Sequence, residues 1–232
     1  MRASQIIALI ATGLSAGAAS IERRAVINHD AVVGFAESAS ALALKFKPWL
    51  KVVNGCVPFP AVDAAGNTGG GLQTSGSSNG GCSKSTGQVY TRAGTSGSSY
   101  GIMYSWYMPK DSPSPGLGHR HDWEGIVVWI DDPNAANPNI VGLSTSAHGG
   151  FDTITSNFPL DGTRPKIRYY SVFPVNHQLG TTDTKGGEQP LISWENLTQA
   201  ARDALENTDF GDANVPFKEA NFANNLAKAK PS

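Results

Sequence analysis

Cysteine, unbalanced charge and long apolar runs are all scarce in this sequence. The chain has only two cysteines, and its 18 lysines and arginines nearly balance its 19 acidic residues, for a net charge of −1. This balance indicates no basic face for binding nucleic acid. No apolar stretch reaches the roughly 20 residues that a membrane-spanning helix needs, so the sequence predicts no transmembrane segment.

The first residues have the pattern of a secretory signal peptide. Met1-Arg2 gives a positive start, residues 6–14 are apolar, and the small residues 16–19 suit a cleavage site. This pattern predicts a signal peptide over residues 1–19 and a secreted, extracellular protein. The dibasic pair Arg23-Arg24 follows, and a protease that cut there would release a short pro-segment, residues 20–24. The alternative is that the two arginines are simply charged, solvent-exposed residues and that no protease cuts there.

Residues 25–232 are expected to fold as one domain, because about 210 residues are enough for a single large core. Cys56 and Cys82 flank a segment rich in Gly, Ser and Thr. In an oxidising compartment a disulfide between them is the default interpretation. Two free thiols or a metal pair are the alternatives, and both are less favoured outside the cell.

The order of secondary structure predicts a mainly β fold. Residues 101–108 should form a strand that stops at Pro109, and the continuously apolar 126–130 should lie in a strand buried on both sides. Further elements are expected as a strand within 88–92, strands over 140–147 and 166–173, a short helix and an extended piece before Pro48, a helix capped by Ser193, and a helix over 217–228. Such a chain fits a central β-sandwich with helices packed on its outside.

Five ionisable residues concentrate at the end of the hairpin that these two central strands would form: Asp111, His119, His121, Asp122 and Glu124. Three carboxylates this close would repel one another, and a bound cation would remove that cost. Asp122 and Glu124 are two residues apart on a strand, so both point to one face, while Trp123 points to the other. His119 and Asp111 can fold over that face from the connecting loop.

This donor set favours a hard divalent ion, Ca²⁺ or Mg²⁺, with Mn²⁺ as a further candidate, because oxygen ligands outnumber nitrogen. The competing interpretation is a cluster of salt bridges with Arg120 and Lys110 and no ion. His148 could line the same cleft or cap a turn, and His177 could line it or be a solvated loop residue. Asn196 begins a glycosylation sequon, although it falls in a predicted helix.

Residues 118–124, preceded by 102–113, closely resemble the signature region of the necrosis- and ethylene-inducing peptide 1-like proteins of fungi, oomycetes and bacteria. The resemblance extends along nearly all of the mature chain, in the segments 55–63, 81–82, 146–149, 189–192, 201–205 and 210–217. Cys56 and Cys82 match the type with one disulfide, and a fungal source is expected.

The resemblance implies an actinoporin- and lectin-like β-sandwich and a cytolysin of dicot plants that is not an enzyme. Such proteins bind the sugar head groups of glycosylinositol phosphorylceramides in the outer leaflet and then permeabilise the host plasma membrane, and a divalent cation is required. The segment 101–124 also resembles the pattern that plant immune receptors recognise.

Carried over by position, the resemblance assigns the metal ligands to Asp111, His119, Asp122 and Glu124. It assigns the cleft and sugar-binding residues to His121, Phe173, Asn176 and His177, with His121 in a supporting role. Phe173 stands where other members have Trp.

Two other functions compete with this expectation. One is a non-lytic member of the same family that acts only as an immune elicitor or in adhesion. The other is a metal-dependent extracellular hydrolase in which His121 or Glu124 is the general base.

Overall fold

Strands dominate the computed structural model, which describes residues 24–231. The strands are β1 Val26–Ile27, β2 Trp49–Val52, β3 Thr68–Gly69, β4 Val89–Ser96, β5 Ser99–Asp111, β6 His119–Ile130, β7 Ile140–Ala147, β8 Gly150–Ile154, β9 Leu160–Asp161, β10 Arg164–Tyr170, β11 Gln178–Thr181 and β12 Leu191–Ser193. The helices are α1 Ala41–Lys45, a 3₁₀ turn Trp194–Asn196, α2 Gln199–Asn207 and α3 Glu219–Ala229. The predicted signal peptide lies outside the described residues.

Two main sheets build the domain. The larger has six strands in the order β12-β4-β5-β6-β7-β8, and the smaller has the order β11-β10-β2, with β9 also paired to β10. A short parallel pair, β1 with β3, ties the beginning of the described chain to the body of the domain. The prediction of a mainly β architecture is confirmed.

The two central strands are apolar on both faces because each face packs against a different layer. On β5, the Tyr104 hydroxyl donates to the Ala43 carbonyl of α1 at 2.7 Å. On β6, the Trp129 indole N–H donates to the Ala229 carbonyl at the end of α3 at 3.1 Å. Asp122 faces the smaller sheet, where it accepts a hydrogen bond from Tyr169. The six-stranded sheet is therefore covered on both sides, with helix α3 outside it.

The β5 strand continues through Pro109, so the prediction that it stops there is wrong. Its register with β6 shifts between Met108 and Lys110, and Pro109 falls at that irregularity. A proline can lie in a strand at such a bulge because no ladder hydrogen bond is required of its missing N–H. The bulge carries the strand on to Asp111, which lies opposite His119.

The helix predicted from Ser193 begins later than expected. Residues 194–196 form a 3₁₀ turn, and α2 starts only after Thr198, whose hydroxyl accepts from the Ala201 N–H at 3.1 Å. Asn196 is therefore exposed at the end of the 3₁₀ turn, and its side-chain amide donates to Ser38. Glycosylation there stays a prediction. Among residues 24–231, no helix is long and apolar enough to cross a membrane.

The disulfide between Cys56 and Cys82 is present, and both sulfurs belong to the buried core. It closes a loop of 26 positions, which corresponds to about 3 to 4 kcal/mol of lost entropy in the unfolded chain.

We therefore expect the Cys56→Ala/Cys82→Ala double variant to lose about 3 kcal/mol of unfolding free energy. Alanine is chosen because both positions are apolar and buried. Urea titration followed by tryptophan fluorescence measures the loss relative to the disulfide-bonded wild type, and the reduced wild-type protein should show a similar loss. A urea midpoint equal to that of the disulfide-bonded wild type would show that the cross-link does not stabilise the fold.

Candidate functional site: an acidic cleft at the end of the central hairpin

The site is built at the end of the β5–β6 hairpin. Asp111 ends β5 and His119 begins β6, and the two are paired in register. The connection between them closes at Gly118, which has a φ of +84°. A Cβ at that position would lie 2.2 Å from the Asp111 carbonyl oxygen. Only glycine lets the returning chain pass this close, so Gly118 fixes the place of Asp111.

Three carboxylates are buried side by side at this end of the hairpin. Asp111 is 1% exposed, Asp122 5% and Glu124 8%. The Tyr169 hydroxyl donates to Asp122 Oδ2 at 2.7 Å, and the Ser146 hydroxyl donates to Glu124 Oε2. Buried carboxylates carry a desolvation cost that such neutral donors offset only in part.

His177, in the loop just before β11 of the smaller sheet, holds the third carboxylate. Its backbone N–H and its Nδ1 both donate to Asp111, the latter at 2.6 Å. The ring stacks on Tyr169 with centroids 4.5 Å apart. Its Nε2 is buried and has no partner within residues 24–231, and a Cβ at Gly55 would lie 2.5 Å from it. His177 is therefore clamped between Tyr169 and the Gly55 backbone, which orients Asp111.

His119 presents its other ring nitrogen to the carboxylates. Nδ1 lies 2.8 Å from the His121 carbonyl oxygen, which can only accept a hydrogen bond, so Nδ1 carries the proton. Nε2 lies 3.8 Å from Asp111 Oδ2. In the neutral imidazole, Nε2 then has a free lone pair directed at the acidic group, which is the arrangement found in histidine metal ligands.

These side chains line an open cleft of about 590 Å³. The predicted residues that line it are Asp111, His119, Asp122, Glu124, Asn176 and His177. His148, which the sequence left ambiguous, also lines it. The sequence does not predict a further part of the lining, which is formed by Asp212, Asn214, Asn221, Asn225 and Lys228. These residues lie in the last helix or shortly before it, and no local pattern in the sequence links them to the hairpin.

Two of the residues predicted for the cleft lie elsewhere. The His121 ring is buried against Phe210, and its Nδ1 is bonded to the Tyr107 hydroxyl at 2.6 Å. It has a φ of +62°, where the strand is bulged, and burial lowers its pKa to about 4. Phe173 is 68% exposed and does not line the cleft. His121 thus supports the hairpin from behind, and Phe173 projects into solvent.

Burial and mutual repulsion raise the pKa values of two of these carboxyl groups, Asp122 and Glu124. Burial, followed by the nearby charge of Asp111, raises the pKa of Asp122 from 3.8 to about 7. Burial and the charge of Asp122 also raise the pKa of Glu124 well above its ordinary value. With all three carboxylates ionised, the site would hold an excess of buried negative charge.

This shift predicts how stability depends on pH in the absence of divalent cations. A carboxyl whose folded-state pKa is raised stabilises the fold below its unfolded-state pKa, and that contribution is lost as pH rises through the folded-state value. We expect the free energy of unfolding to fall by on the order of 1 to 3 kcal/mol between about pH 4 and pH 8 through Asp122. Urea titrations in chelator at several pH values measure it.

The Asp122→Asn variant is the control for this pH dependence, since asparagine cannot ionise. An equally steep fall in the variant and in the wild type would contradict the assignment to Asp122.

The donor set fits a hard divalent cation, although the donor atoms do not converge closely enough to coordinate one ion. Within the described chain, no three His, Cys, Asp or Glu side chains already form a metal-binding group. However, Asp122 Oδ1 and Glu124 Oε1 accept no hydrogen bond from residues 24–231. Three carboxylates and one imidazole in a single acidic cleft are the ligand types that Ca²⁺, Mg²⁺ and Mn²⁺ take.

The fold and the site together define a β-sandwich protein with an open acidic cleft. A family model described as "Necrosis inducing protein (NPP1)" matches residues 40–229. This chain therefore belongs to the necrosis-inducing NPP1 family, as the resemblance in the sequence predicted. It is 52% identical over 227 residues to "NLP effector protein 10" of Phytophthora capsici, covering 93% of this chain and 96% of the relative. That relative is from an oomycete, so it gives the expected fungal source no support.

Two solved structures carry further information. "NLPPya in complex with mannosamine" has 55% sequence identity and a TM-score of 0.85, and it covers 90% of this chain and 100% of that one. "Crystal structure of non-toxic HaNLP3 protein" has 44% identity and a TM-score of 0.84, with 88% and 99% covered. The same sandwich thus occurs in a protein that is complexed with an amino sugar and in one described as non-toxic.

Proposed function

We propose that this protein is a secreted cytolysin that captures the sugar head groups of plant glycosylinositol phosphorylceramides with the help of a divalent cation. It then permeabilises the host plasma membrane and causes necrosis and ethylene production. The observation that carries the proposal is the burial of Asp111, Asp122 and Glu124 around one open cleft. Membership of a necrosis-inducing family supports the toxic outcome.

Asp111, His119, Asp122 and Glu124 are the residues that would hold the cation. Asp122 and Glu124 share one face of β6, and His177 holds Asp111 beside them. When bound, Ca²⁺ or Mg²⁺, or Mn²⁺ in their place, would neutralise the carboxylates and coordinate sugar hydroxyls. The protein's own part is to hold these ligands close together before the sugar arrives, which lowers the entropy lost on binding.

The shape and polarity of the cleft support a sugar as the ligand. A volume of about 590 Å³ lies within the range of small-molecule sites. Asn176 and Asn214 line it with amide groups that can donate to and accept from hydroxyls. The structure of a relative in complex with mannosamine is consistent with a sugar site in this family. Phe173 and Val175, exposed next to Asn176, would lie at the membrane side of the captured head group.

We also propose that plant immune receptors recognise the segment 101–124 of this protein. Within that segment, residues 101–112 and 121–124 are buried, and only residues 113–120 are intermediate or exposed. A receptor that contacts the whole segment could therefore bind only after the segment has been released from the folded protein.

Leakage without turnover is the test of the cytolysin proposal. Dye-filled vesicles of plant glycosylinositol phosphorylceramide, sterol and phosphatidylcholine should release dye when protein and Ca²⁺ or Mg²⁺ are added. Mass spectrometry of the lipids afterwards should find them chemically unchanged. Release of a sugar or phosphate product with turnover would instead support the hydrolase, with His121 or Glu124 as its base. The burial of His121 away from the cleft argues against its use as that base.

A second candidate is a non-lytic immune elicitor of the same fold. The similar structure that is described as non-toxic favours it, and Phe173 replaces the Trp that the family resemblance implies. Infiltration of purified protein into dicot and monocot leaves separates the two functions. Dicot-specific necrosis supports the cytolysin, whereas defence signalling without cell death supports the elicitor.

A further inference from the structure

An ion pair and two hydrogen bonds hold the chain on both sides of the Arg24–Ala25 peptide bond. The Arg24 guanidinium pairs with Asp203 of α2 at 2.7 Å, and both side chains are more than a third exposed. The Ala25 N–H donates to Asn67 Oδ1 at 3.0 Å, and the Ala25 carbonyl accepts from the Thr68 N–H at 3.0 Å. Ala25 is thus fixed on both sides, directly before the β1–β3 pair.

The acceptor at Asn67 is itself fixed by a carboxylate. The Asn67 side-chain amide donates to Asp63 Oδ2 at 2.9 Å, and the Asn67 backbone N–H donates to Asp63 Oδ1 at 2.9 Å. Asp63 Oδ1 also accepts from the Ala65 N–H. Among residues 24–231, no cation forms a salt bridge with Asp63. The Asn67 amide oxygen therefore faces the backbone nitrogen of Ala25, and the carboxylate that holds this amide has no cationic partner among residues 24–231.

We propose that the Arg24–Ala25 bond is a proteolytic processing site, and that Asn67 and Asp63 receive the α-ammonium group that the cut creates. The pair Arg23-Arg24 is the recognition sequence expected of a secretory endoprotease that cuts after paired basic residues. Water is the co-reactant. The C–N bond breaks, a carboxylate forms on Arg24, and an ammonium group forms on Ala25.

The new group suits its surroundings better than the peptide N–H that it replaces. An amide offers one hydrogen to Asn67, whereas an ammonium group offers three and carries a positive charge toward Asp63. Arg24 leaves with the pro-segment, and the α-ammonium group of Ala25 then supplies the positive charge at this surface. New chain termini usually fray, but pairing of β1 with β3 already holds this one.

The first experiment tests the cut itself. The full chain is secreted from a eukaryotic host that has such an endoprotease, and its intact mass and N-terminal sequence are determined. We expect the mature protein to begin at Ala25, and the Arg24→Gln variant to begin upstream of it. Wild-type protein that retains Arg24 would overturn the processing site.

The second experiment tests capture of the ammonium group. Protein that starts at Ala25 is acetylated selectively at its α-amine, which removes the charge but keeps one N–H. We expect the Tm to fall by about 2 to 4 °C in the wild type and to stay unchanged in Asp63→Asn. A wild-type Tm that acetylation leaves unchanged would overturn the capture, whether or not the Asp63→Asn variant folds.

Discussion

The Asp122→Asn variant should lose cation-dependent leakage and yet be more stable than the wild type in chelator at pH 8. Asparagine keeps an oxygen that can accept the Tyr169 hydrogen bond, now formed at 2.7 Å. It removes the charge that burial disfavours, as the pKa of about 7 for Asp122 indicates. Loss of a group next to a metal ligand typically costs about 10- to 100-fold, and loss of a ligand should cost at least that in activity.

The two opposite effects make this variant more informative than a simple knockout. Dye release from plant-lipid vesicles measures the first effect, and urea unfolding in chelator measures the second. Asp183→Asn is the control, because Asp183 is exposed in the segment after β11, away from the cleft. Full leakage activity in Asp122→Asn would rule out Asp122 as a metal ligand. A lower stability than that of the wild type in chelator would show that the ionised Asp122 carboxylate does not destabilise the fold.

Replacing Gly118 by alanine should also abolish leakage, although this residue has no side chain to offer a ligand. The new Cβ would lie 2.2 Å from the Asp111 carbonyl oxygen, so the hairpin end must open. Asp111 would then move away from His177 and from the other two carboxylates. The change acts through backbone geometry, and adding more divalent cation should recover little activity.

Gly116→Ala provides a matched control in the same connection. Gly116 has a φ of +81°, close to the +84° of Gly118, but a Cβ there would meet nothing within 4 Å. Both variants pay the cost of a left-handed backbone, about 1 to 2 kcal/mol, and only Gly118→Ala adds the collision. Equal leakage from the two variants would show that the position of Asp111 does not matter. Dye release and Tm, measured together, separate loss of the site from loss of the fold.

Strand geometry in the sequence was sufficient to predict one wall of the cleft. The two-residue spacing of Asp122 and Glu124 placed them on one face, with Trp123 opposite, and this arrangement is what β6 has. Trp123 packs on the other side against Phe217, although it also contributes to the lining of the cleft. The alternation of a strand is a local property, so a single segment is enough to read it.

Contacts between segments that are far apart in the sequence cannot be predicted from strand alternation. His177 meets Asp111 across 66 positions, and Lys228 reaches the cleft from the last helix. The passage of β5 through Pro109 was also missed, because it depends on a register shift between two strands. A proline signals a strand end only when its partner strand requires an N–H at that position.

The bulge explains the placement of His121 as well. Lys110 pairs with both Arg120 and His121, so the alternation of side chains is broken just before Asp122. Simple alternation from Asp122 cannot therefore be extended back to His119 and His121. The result is that His119 joins the acidic cleft, while His121 packs beneath it against Phe210.

The proposed protein binds lipid head groups through a divalent cation in the cleft and does not cleave them. Binding to vesicles tests this mechanism most directly. The protein is sedimented with vesicles of plant glycosylinositol phosphorylceramide, sterol and phosphatidylcholine, with Ca²⁺ or Mg²⁺ and then with chelator. We predict that wild-type protein sediments only when the cation is present, and that Asp122→Asn does not sediment in either condition. Binding that is equally strong in chelator, or unchanged in Asp122→Asn, would contradict capture through a cation held by this site.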